Sequence, residues 1–337
     1  MRILLDVMGG DLPPRELVKG GIQMGRREGA EIVFAGDPAA IQTALAEHHE
    51  RLGGAFDVLP CSEVVRMDDA PVTAVRKKKE SSLVRGLEAL RDGRVDAFVS
   101  PGNTGAVVAG SIFMLGRTHG IPRPGLMAAL PTVSGRDIYV IDVGATSDTK
   151  PEQLLHFALM GATYARDVAG IPHPTVGLLN IGSEVEKGNR LTGKAFSLLE
   201  ESPLPFAGNV EAHRVLIERS VDVVVCDGFV GNVFLKSVEG GVSALASLLK
   251  QTIRGRVIAM LGALLMSGSI AQVKGTMSYQ RRGGAPLLGV EGVVVVAHGR
   301  SDAEAIEGAL DVACQQVKAG LLAQFSRGVA GWETDGD

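Results

Sequence analysis

Short runs of aliphatic and β-branched residues recur along this chain and alternate with longer amphipathic stretches. The runs occupy residues 3–7, 31–35, 95–100, 138–143, 175–181, 221–226 and 293–297. Helix-like patterns lie between them, at residues 14–27, 82–91, 104–115, 151–168, 232–249 and 302–324. Strands that alternate with helices build a parallel sheet whose two faces are covered by the helices. We therefore predict an α/β fold with three layers and a largely parallel sheet.

Several of the predicted strands end in a turn of glycine and small polar residues that leads into a helix. These turns are DVMGGD from Asp6, SPGNTG from Ser100, DVG from Asp142, NIG from Asn180 and CDGFVG from Cys226. Ligands of open α/β sheets bind beyond the carboxyl ends of the strands. The turns are therefore the expected location of the functional site.

The length and composition favour one large domain. A chain of 337 residues with 45% hydrophobic content buries a sizeable core. No repeat or Pro/Ser linker marks a sharp boundary. We predict a single α/β domain over residues 1–330, with room for two lobes, and a disordered tail at residues 331–337. A helical hairpin is expected to leave the body near residues 250–276.

The charge and the cysteines exclude several classes of protein. A formal net charge of −4 lacks the basic excess of a nucleic-acid binder. Cys61, Cys226 and Cys314 are widely spaced, so neither a disulfide framework nor a zinc site is expected. The amino-terminal residues lack the apolar run of a secretory signal, and no stretch reaches the ~18 apolar residues of a membrane-spanning helix. We expect a cytoplasmic protein without a metal.

The turn at residues 100–106 is a candidate phosphate-binding loop. Free N–H groups and the positive end of a helix attract anions. Glycine, asparagine and threonine are also ordinary helix-cap residues, and taken alone the turn fits a cap better. The residues assigned to phosphate in this turn and in the first one are Gly102, Asn103, Thr104, Gly105, Gly9, Gly10 and Asp11.

A charged loop follows the predicted strand that ends at Asn180. Lys187 lies at its tip, where an ammonium group is able to neutralise a phosphate or the oxyanion of a tetrahedral intermediate. A solvated surface lysine explains the same residue equally well. The nearby pattern from Gly188 to Lys194 resembles a P-loop but lacks the required Ser or Thr after the lysine, so nucleotide hydrolysis is rejected.

Asn232 follows another strand and the turn that contains Asp227 and Gly228. Its amide is a candidate donor to a carbonyl oxygen that gains charge, and a helix cap is the alternative. The chain has no G-x-S-x-G or H-E-x-x-H pattern and no cysteine with an obvious histidine partner. Covalent catalysis is therefore not favoured. Among the scattered histidines, His298 is the candidate because it closes a predicted strand.

Two further segments have the composition of contact surfaces. A basic run is suited to phosphates or to an acidic carrier protein, although such runs are also ordinary solvated faces; it comprises Arg76, Lys77, Lys78 and Lys79. Residues 252–276 mix cations with large apolar side chains, which suits a membrane interface, a dimer contact or the mouth of an acyl-chain tunnel. Its candidate contact residues are Arg254, Arg256, Leu261, Leu264 and Leu265.

Eight ordered blocks resemble the PlsX-type phosphate acyltransferases of bacterial phospholipid synthesis, and the resemblance spans nearly the whole chain. The blocks are DVMGGD at 6–11, PVTAVRKKKESSL at 71–83, SPGNTGA at 100–106, DVGATSDTKPE at 142–152, LLNIGSEVEKGN at 178–189, GNVE at 208–211, CDGFVGNVFLK at 226–236 and GGAPLLGVEGVVVVAHG at 283–299. The chain departs from the family pattern at Leu12, Thr146, Ala212 and His213.

The resemblance implies transfer of a long acyl group from acyl carrier protein to inorganic phosphate, which yields an acyl phosphate for phospholipid synthesis. It further implies a homodimer with a fold similar to phosphotransacetylases and the isocitrate dehydrogenase group, peripheral membrane attachment, and no metal or organic cofactor. A glycerol-3-phosphate acyltransferase is the expected downstream partner. Lys187 and Asn232 match the family residues implicated in activity, and Asp142, Lys150, Asn180, Asp227 and Gly228 are assigned to substrate binding within the matching blocks.

Three alternatives stay open. A phosphotransacylase that uses acyl-coenzyme A shares the chemistry but not the carrier. A non-catalytic lipid-binding or carrier-binding protein would use the same fold without producing acyl phosphate. A nicotinamide-dependent dehydrogenase is suggested by the fold alone, and the absence of G-x-G-x-x-G argues against it.

Overall fold

The computed structural model describes residues 1–218, 220–269, 275 and 282–325. Within these residues the strands are β1 (Arg2–Asp6), β2 (Glu31–Gly36), β3 (Phe56–Pro60), β4 (Ala97–Ser100), β5 (Gly125–Pro131), β6 (Asp137–Ile141), β7 (Val176–Asn180), β8 (Phe206–Glu211), β9 (Val223–Val225), β10 (Ala285–Leu288) and β11 (Val293–Val296). The helices are α1 (Pro14–Glu28), α2 (Pro38–Glu47), α3 (Pro71–Lys77), α4 (Ser82–Arg91), α5 (Thr104–Met114), α6 (Pro151–Asp167), α7 (Arg190–Glu200), α8 (Ala212–Val215), α9 (Gly228–Ile253), α10 (Val257–Leu265) and α11 (Ala303–Ala319).

The strands form one sheet in the order β3-β2-β1-β4-β11-β10-β5-β6-β9-β7-β8. The five strands from β3 to β11 are mutually parallel, and so are the four from β6 to β8. Between these halves, β10 is antiparallel to both β11 and β5, and β5 is antiparallel to β6. The two parallel halves therefore run in opposite directions. The prediction of an α/β fold with a largely parallel sheet is confirmed.

Helices cover both faces of the sheet because its strands are apolar on both sides. In β1, Leu4 faces a core that α4 and α5 complete, whereas Ile3 and Leu5 face a second core built with α1 and α11. A third core packs α6 and α7 against the half that contains β6 and β9. A strand buried on both faces reads as a continuous apolar run, which is the pattern of the sequence.

Two helices differ from the predicted bounds for reasons of capping. The carboxylate of Asp227 accepts hydrogen bonds from the backbone N–H groups of Phe229 and Val230, so α9 begins at Gly228. Asn232 consequently lies in the second turn of this helix and is not its cap. At the other end of the chain, α11 stops at Gly320, whose φ of 62° ends the helix in the left-handed region.

Helices α9 and α10 form the predicted excursion. Of the 26 residues of α9, only Gly228, Gly231 and Leu235 are buried, and Gly255, with φ 82°, lies in the turn before α10. Of the predicted 250–276 segment, residues 270–274 and 276 lie outside the described residues, as does the predicted tail at 331–337. None of the helices in the described part of the chain combines the length and the apolar content needed to cross a bilayer.

Candidate active site

The buried carboxylate of Asp6 organises the loops at one end of the first half-sheet. Its Oδ1 accepts hydrogen bonds from the backbone N–H groups of Met8 and Gly9, both at 3.0 Å. Its Oδ2 accepts the hydroxyl of Ser100 at 2.8 Å, and that hydroxyl in turn accepts the N–H of Gly102 at 3.1 Å. The turns that follow β1 and β4 are therefore held together by a side chain that the sequence analysis did not select.

These turns approach each other closely at two glycines. A Cβ on Gly9 would lie 2.9 Å from the Cα of Gly102, and one on Gly10 would lie 3.3 Å from the carbonyl oxygen of Gly299. The N–H of Asp11 donates to that same carbonyl at 2.7 Å, which brings in the loop after β11. Two of the predicted turns and the loop after β11 thus meet at the carboxyl ends of β1, β4 and β11.

The side chain of Asn103 is committed to local structure. Its Oδ1 accepts the N–H of Ala106 at 3.0 Å and caps α5. Its amide donates to the carbonyl oxygens of Met67 and Asp69, at 3.0 and 3.2 Å, and anchors the loop before α3. Any contribution of this turn to anion binding therefore comes from the backbone and from its neighbours Thr104 and Gly105.

Asp142 plays the same organising role in the second half-sheet. Its Oδ1 accepts the N–H groups of Leu126, Gly144 and Ala145 at 2.9–3.0 Å, and its Oδ2 accepts that of Thr146 at 2.7 Å. Burial raises the pKa of this carboxyl to about 6, against the lowering effect of the four donors. Asp142 therefore holds the loop after β6 and does not point into open solvent.

The start of α9 packs directly on this loop. A Cβ on Gly228 would lie 2.6 Å from Asp142 Oδ2, and one on Gly231 only 1.9 Å from the Asp142 carbonyl oxygen. A Cβ built on Gly144 would lie 3.8 Å from Asn232, so the asparagine is seated beside the 144–146 loop. Thr146, a departure from the family pattern, binds Asp142 and Gly228 through its backbone, and its hydroxyl donates to the Pro124 carbonyl oxygen at 3.2 Å.

A cleft of about 320 Å³ lies over the central strands, between these two loop clusters. Its polar lining consists of Thr104, Asn232, Lys236, Glu239, Arg282, His298 and Ser301. Its apolar lining includes Leu126, Ala128, Val143, Leu235, Ala285 and Val296. The cleft therefore joins an apolar floor to a polar, cation-containing rim. Of the residues predicted from sequence, it brings together Thr104, Gly105, Asn232 and His298.

Lys187 lies in a different environment. Its loop, between β7 and α7, is held by Asn180, whose amide donates to the Lys187 carbonyl oxygen and to Asn209 Oδ1, each at 3.0 Å. The amide of Asn209 donates to the Glu184 carbonyl at 2.8 Å. The Lys187 side chain is exposed and does not line the cleft, although β7 and β9 are neighbours and their loops leave the same end of the sheet.

Among the other selected residues, several have structural roles. Lys150 is the exposed residue before α6, and Asp227 is the cap of α9. Lys78 is half-buried and binds Asp69 and the Val64 carbonyl, so of the basic run only Arg76, Lys77 and Lys79 are exposed. In the α9–α10 excursion, the candidate contact residues Leu261, Leu264 and Leu265 are 58–88% exposed.

Sequence reasoning missed Lys236, Glu239 and Arg282. The signal for Lys236 was available, because it lies four residues after Asn232 and such pairs share one face of a helix. Burial raises the pKa of the Cys226 thiol well above its ordinary value and that of Cys61 to about 12, which agrees with the expectation that neither is a nucleophile. Within the described ranges no group of acidic, histidine and cysteine residues is arranged to hold a metal.

Comparison with known sequences gives a consistent assignment. The profile of the family described as "Fatty acid synthesis protein" matches residues 1–324. A phosphate acyltransferase of Heliobacterium modesticaldum is 46% identical over 331 residues, which cover 98% of each chain. A phosphate acyltransferase of Geobacillus thermodenitrificans is 47% identical over 307 residues, which cover 91% of this chain and 92% of the relative.

Solved structures share the fold at low sequence identity. A phosphotransacetylase of Streptococcus pyogenes superposes with a TM-score of 0.64 at 16% identity and covers 94% of each chain. A 4-hydroxythreonine-4-phosphate dehydrogenase of Klebsiella pneumoniae covers 94% of this chain and 99% of its own, with a TM-score of 0.53 at 13% identity. The predicted phosphotransacetylase-like fold is confirmed. With more than 40% identity to named relatives over almost its full length, the chain belongs to the phosphate acyltransferase family and is an acyltransferase.

Proposed function

We propose that this protein transfers a long acyl group from an acyl carrier protein thioester to inorganic phosphate, and that the acyl phosphate feeds phospholipid synthesis through a glycerol-3-phosphate acyltransferase. The observation that carries the proposal is the cleft over the central strands, which places an apolar floor beside amide, hydroxyl and cationic groups. The chain of an acyl thioester needs the apolar floor, and a phosphate needs the polar and cationic groups.

The reaction requires positioning more than it requires a protein nucleophile. A phosphate oxygen attacks the carbonyl carbon of the thioester, and the carbonyl oxygen gains negative charge. The C–S bond then breaks, its electron pair leaves on sulfur, and the proton of hydrogen phosphate ends on the thiol. Holding the two reactants together and donating hydrogen bonds to the developing charge supply most of the acceleration in such a reaction.

The chain offers hydrogen-bond donors for the carbonyl oxygen of the thioester and for the phosphate. Asn232 lies in the cleft beside the loop of Gly144, where its amide is available to the carbonyl oxygen. In the turns at Gly9–Asp11 and Gly102–Gly105, the N–H groups of Gly9, Asp11 and Gly102 are bonded within the protein. The backbone donors assigned to phosphate are therefore those of Gly10 and of residues 103–105, and Gly105 lines the cleft. Lys187 is assigned to the departing thiolate and the oxyanion, a role that requires its exposed loop to approach the cleft when substrate is bound.

An acidic carrier protein fits the face formed by α3. Arg76 and Lys77 occupy the last turn of α3, Lys79 follows, and the guanidinium of Arg76 lies 5.6 Å from the ring centre of exposed Phe113. The other end of α3 is close to the cleft, since a Cβ on Gly105 would lie 2.8 Å from the ring of Pro71. A carrier docked on this basic and apolar surface would deliver its thioester arm toward the cleft.

The α9–α10 excursion is assigned to homodimer formation and peripheral membrane contact at the inner face of the membrane. Val242, Leu245 and Leu249 form an exposed stripe on α9, and Ile258, Leu261 and Leu265 form one on α10. Apolar stripes of this size need a cover, which a second copy or a lipid surface provides.

The activity is tested with purified protein, palmitoyl carrier protein and phosphate, and hydroxylamine traps the acyl phosphate. Production of the hydroxamate that depends on phosphate supports the proposal. Faster reaction with acetyl-coenzyme A or palmitoyl-coenzyme A would assign the chain to the alternative, a coenzyme A-dependent phosphotransacylase. Binding of palmitoyl carrier protein without product would indicate a non-catalytic role.

The roles of Lys187 and Asn232 are tested by substitution. We expect Lys187→Ala and Asn232→Asp to lower kcat about a hundredfold, because each removes a donor to charge that develops in the reaction. Lys194→Ala is the matched control, since Lys194 is an exposed lysine on the adjacent helix α7. Full activity in a folded Lys187→Ala or Asn232→Asp protein would remove that residue from the mechanism.

A further inference from the structure

One face of α9 presents a row of polar side chains to the cleft. Asn232, Lys236 and Glu239 all line it, and the spacing of four and three residues places them on successive turns of the same helical face. Of this row, only Asn232 was predicted from the sequence. The proposed mechanism assigns no role to Lys236 or Glu239.

The cleft is lined by two basic side chains, Arg282 and Lys236, which differ in their ion pairs and in their exposure. Arg282 donates to Asp137 at 2.7 Å, and both side chains are about three-quarters buried, at 25% and 27% exposed. Lys236 pairs at 3.0 Å with Glu239, three residues along its own helix, and its side chain remains 54% exposed. Glu239 is the more buried partner, at 17% exposed, and a single ion pair made by a solvent-exposed lysine contributes little to stability. The ammonium group of Lys236 is therefore easily redirected to an anion in the cleft.

His298 adds a donor with a fixed orientation. Its Nδ1 accepts the backbone N–H of Arg300 at 3.1 Å, so in the neutral ring the hydrogen is on Nε2. Burial, and then the positive charge of Lys236, hold the pKa of His298 below its ordinary value, while Glu239 and Asp11 act in the opposite direction and Arg300 in the same one. The ring is therefore neutral at neutral pH and offers one N–H group.

We propose that the ammonium group of Lys236 and the Nε2–H of His298 form a phosphate-binding site at the cleft, with Glu239 as the counter-ion that holds Lys236 there before phosphate arrives. This inference rests on the proposed function and deepens it. Lys236 neutralises charge, and His298 orients one phosphate oxygen. Asn232, one turn before Lys236, remains free for the carbonyl oxygen of the thioester. The site brings nucleophile and electrophile to one face of α9.

The test measures phosphate binding directly, by isothermal titration calorimetry of the full chain with inorganic phosphate, and in parallel measures initial rates against phosphate concentration. We expect Lys236→Gln to weaken phosphate binding about tenfold or more, because a hydrogen bond to a charged group is lost. Lys236→Arg should retain most of the affinity. Lys250→Gln, an exposed lysine farther along the same helix, is the matched control and should bind phosphate as the wild type does.

Two further variants separate binding from a structural effect. Glu239→Gln should strengthen phosphate binding severalfold, since it removes the competing carboxylate, whereas loss of a purely structural ion pair would not. His298→Ala should weaken binding, and His298→Gln should restore part of it, because the glutamine amide replaces the Nε2–H donor. In rate measurements the effect of Lys236→Gln should fall mainly on the KM for phosphate.

The outcomes separate failure of this inference from failure of the proposed function. If the wild type produces acyl phosphate and folded Lys236→Gln binds phosphate with unchanged affinity, the phosphate site lies elsewhere. If the wild type is inactive with every acyl donor, the calorimetry still decides whether Lys236 and His298 bind phosphate. A rise in affinity in both Lys236→Gln and Glu239→Gln would also overturn the assignment.

Discussion

At the scale of single residues, two buried aspartates do more to shape the site than any residue with an assigned catalytic role. Asp6 and Asp142 each collect hydrogen bonds from the turn that follows their own strand. Each also binds a neighbouring strand, Asp6 through Ser100 and Asp142 through the N–H of Leu126. A buried carboxylate that fixes several backbone donors makes a loop rigid, and rigid donors are what a developing charge requires.

Asp142 gives a prediction about stability and pH. Its pKa is about 6 in the folded protein against 3.8 for the ordinary group, so between these values the folded state binds more protons than the unfolded state. The free energy of unfolding of the wild type, measured relative to Asp142→Asn, should therefore fall as the pH rises from 4 to 6 and level off above. The shift corresponds to a change on the order of 3 kcal/mol.

Urea unfolding at several pH values measures this difference. Asp142→Asn is expected to be the less stable protein at neutral pH, because its amide group faces the Thr146 N–H and cannot accept from it. Only the change of this difference in unfolding free energy with pH reports the titration of the Asp142 carboxyl. A difference that is constant from pH 4 to 7 would show that the Asp142 pKa is not raised.

At the scale of elements, helix α9 connects the site to the surface of the molecule. Its first turns are wedged against the loop of Asp142, whereas most of its remaining length is exposed. The contrast arises from its glycines. Gly228 and Gly231 lie where any Cβ would meet the backbone or carboxylate of Asp142, but Gly240 and Gly241 have open space around them. One helix thus carries both a tightly packed end and a free end.

Substitution of a packed glycine and of an exposed glycine in α9 should have opposite effects on stability. Gly231→Ala places a Cβ 1.9 Å from the Asp142 carbonyl oxygen, so the helix has to move away, and we expect about 2 kcal/mol or more of lost stability together with lower activity through Asn232. Gly240→Ala on the same helix should increase stability by up to about 1 kcal/mol. Thermal unfolding and acyl phosphate assays measure both. Equal behaviour of the two variants would contradict the packing argument.

Some strands are recognisable from the sequence and others are not. The apolar β-branched runs of β1, β2, β4, β6, β7, β9 and β11 were predicted at or near their observed positions. Strands β3, β5, β8 and β10 were not predicted, and of these β5 reads GLMAALP and β10 reads APLL. Glycine, alanine and proline have little intrinsic preference for strands. These two segments are strands because each pairs antiparallel with the next strand in the chain, β5 with β6 and β10 with β11, and because they pair with each other across a long separation in sequence.

At the scale of the whole molecule, α9 and α10 carry a face of exposed apolar side chains without a cover in the described structure. Leu245, Leu248 and Leu249 on α9 are 51–70% exposed, and Leu261, Leu264 and Leu265 on α10 are 58–88% exposed. Arg254 and Arg256 lie in the turn between the helices. An apolar surface beside two cations suits the interface of an anionic membrane.

The membrane contact is tested by flotation with vesicles that contain anionic phospholipid. We expect a variant with glutamine at Leu261, Leu264 and Leu265 to lose most of its vesicle binding while it retains its rate with carrier-bound substrate in solution. Ile217→Gln is the control, since Ile217 is an equally exposed apolar residue, at 64%, on a different part of the surface. Unchanged flotation of the triple variant would assign these leucines to another contact, and sedimentation then tests the homodimer.

The sequence by itself determined the class of fold and the turns in which to look for the site. Runs that are apolar on both faces require a layer of helices on each side, and glycine-rich turns after strands are local features that tertiary context does not alter. Asn232 and the turn proposed to bind phosphate were selected for this reason. Hydrophobic period, however, carries no information about the direction in which a strand enters the sheet.

Only the tertiary structure decided that the two half-sheets run in opposite directions and that a cleft lies over the antiparallel strands between them. It also decided how polar side chains are used. The Asn103 amide is committed to the loop of Met67, Lys78 to Asp69, and Lys236 and His298 to the cleft. These partners are far apart in the chain, and a side chain's role depends on the groups that folding brings within hydrogen-bonding distance.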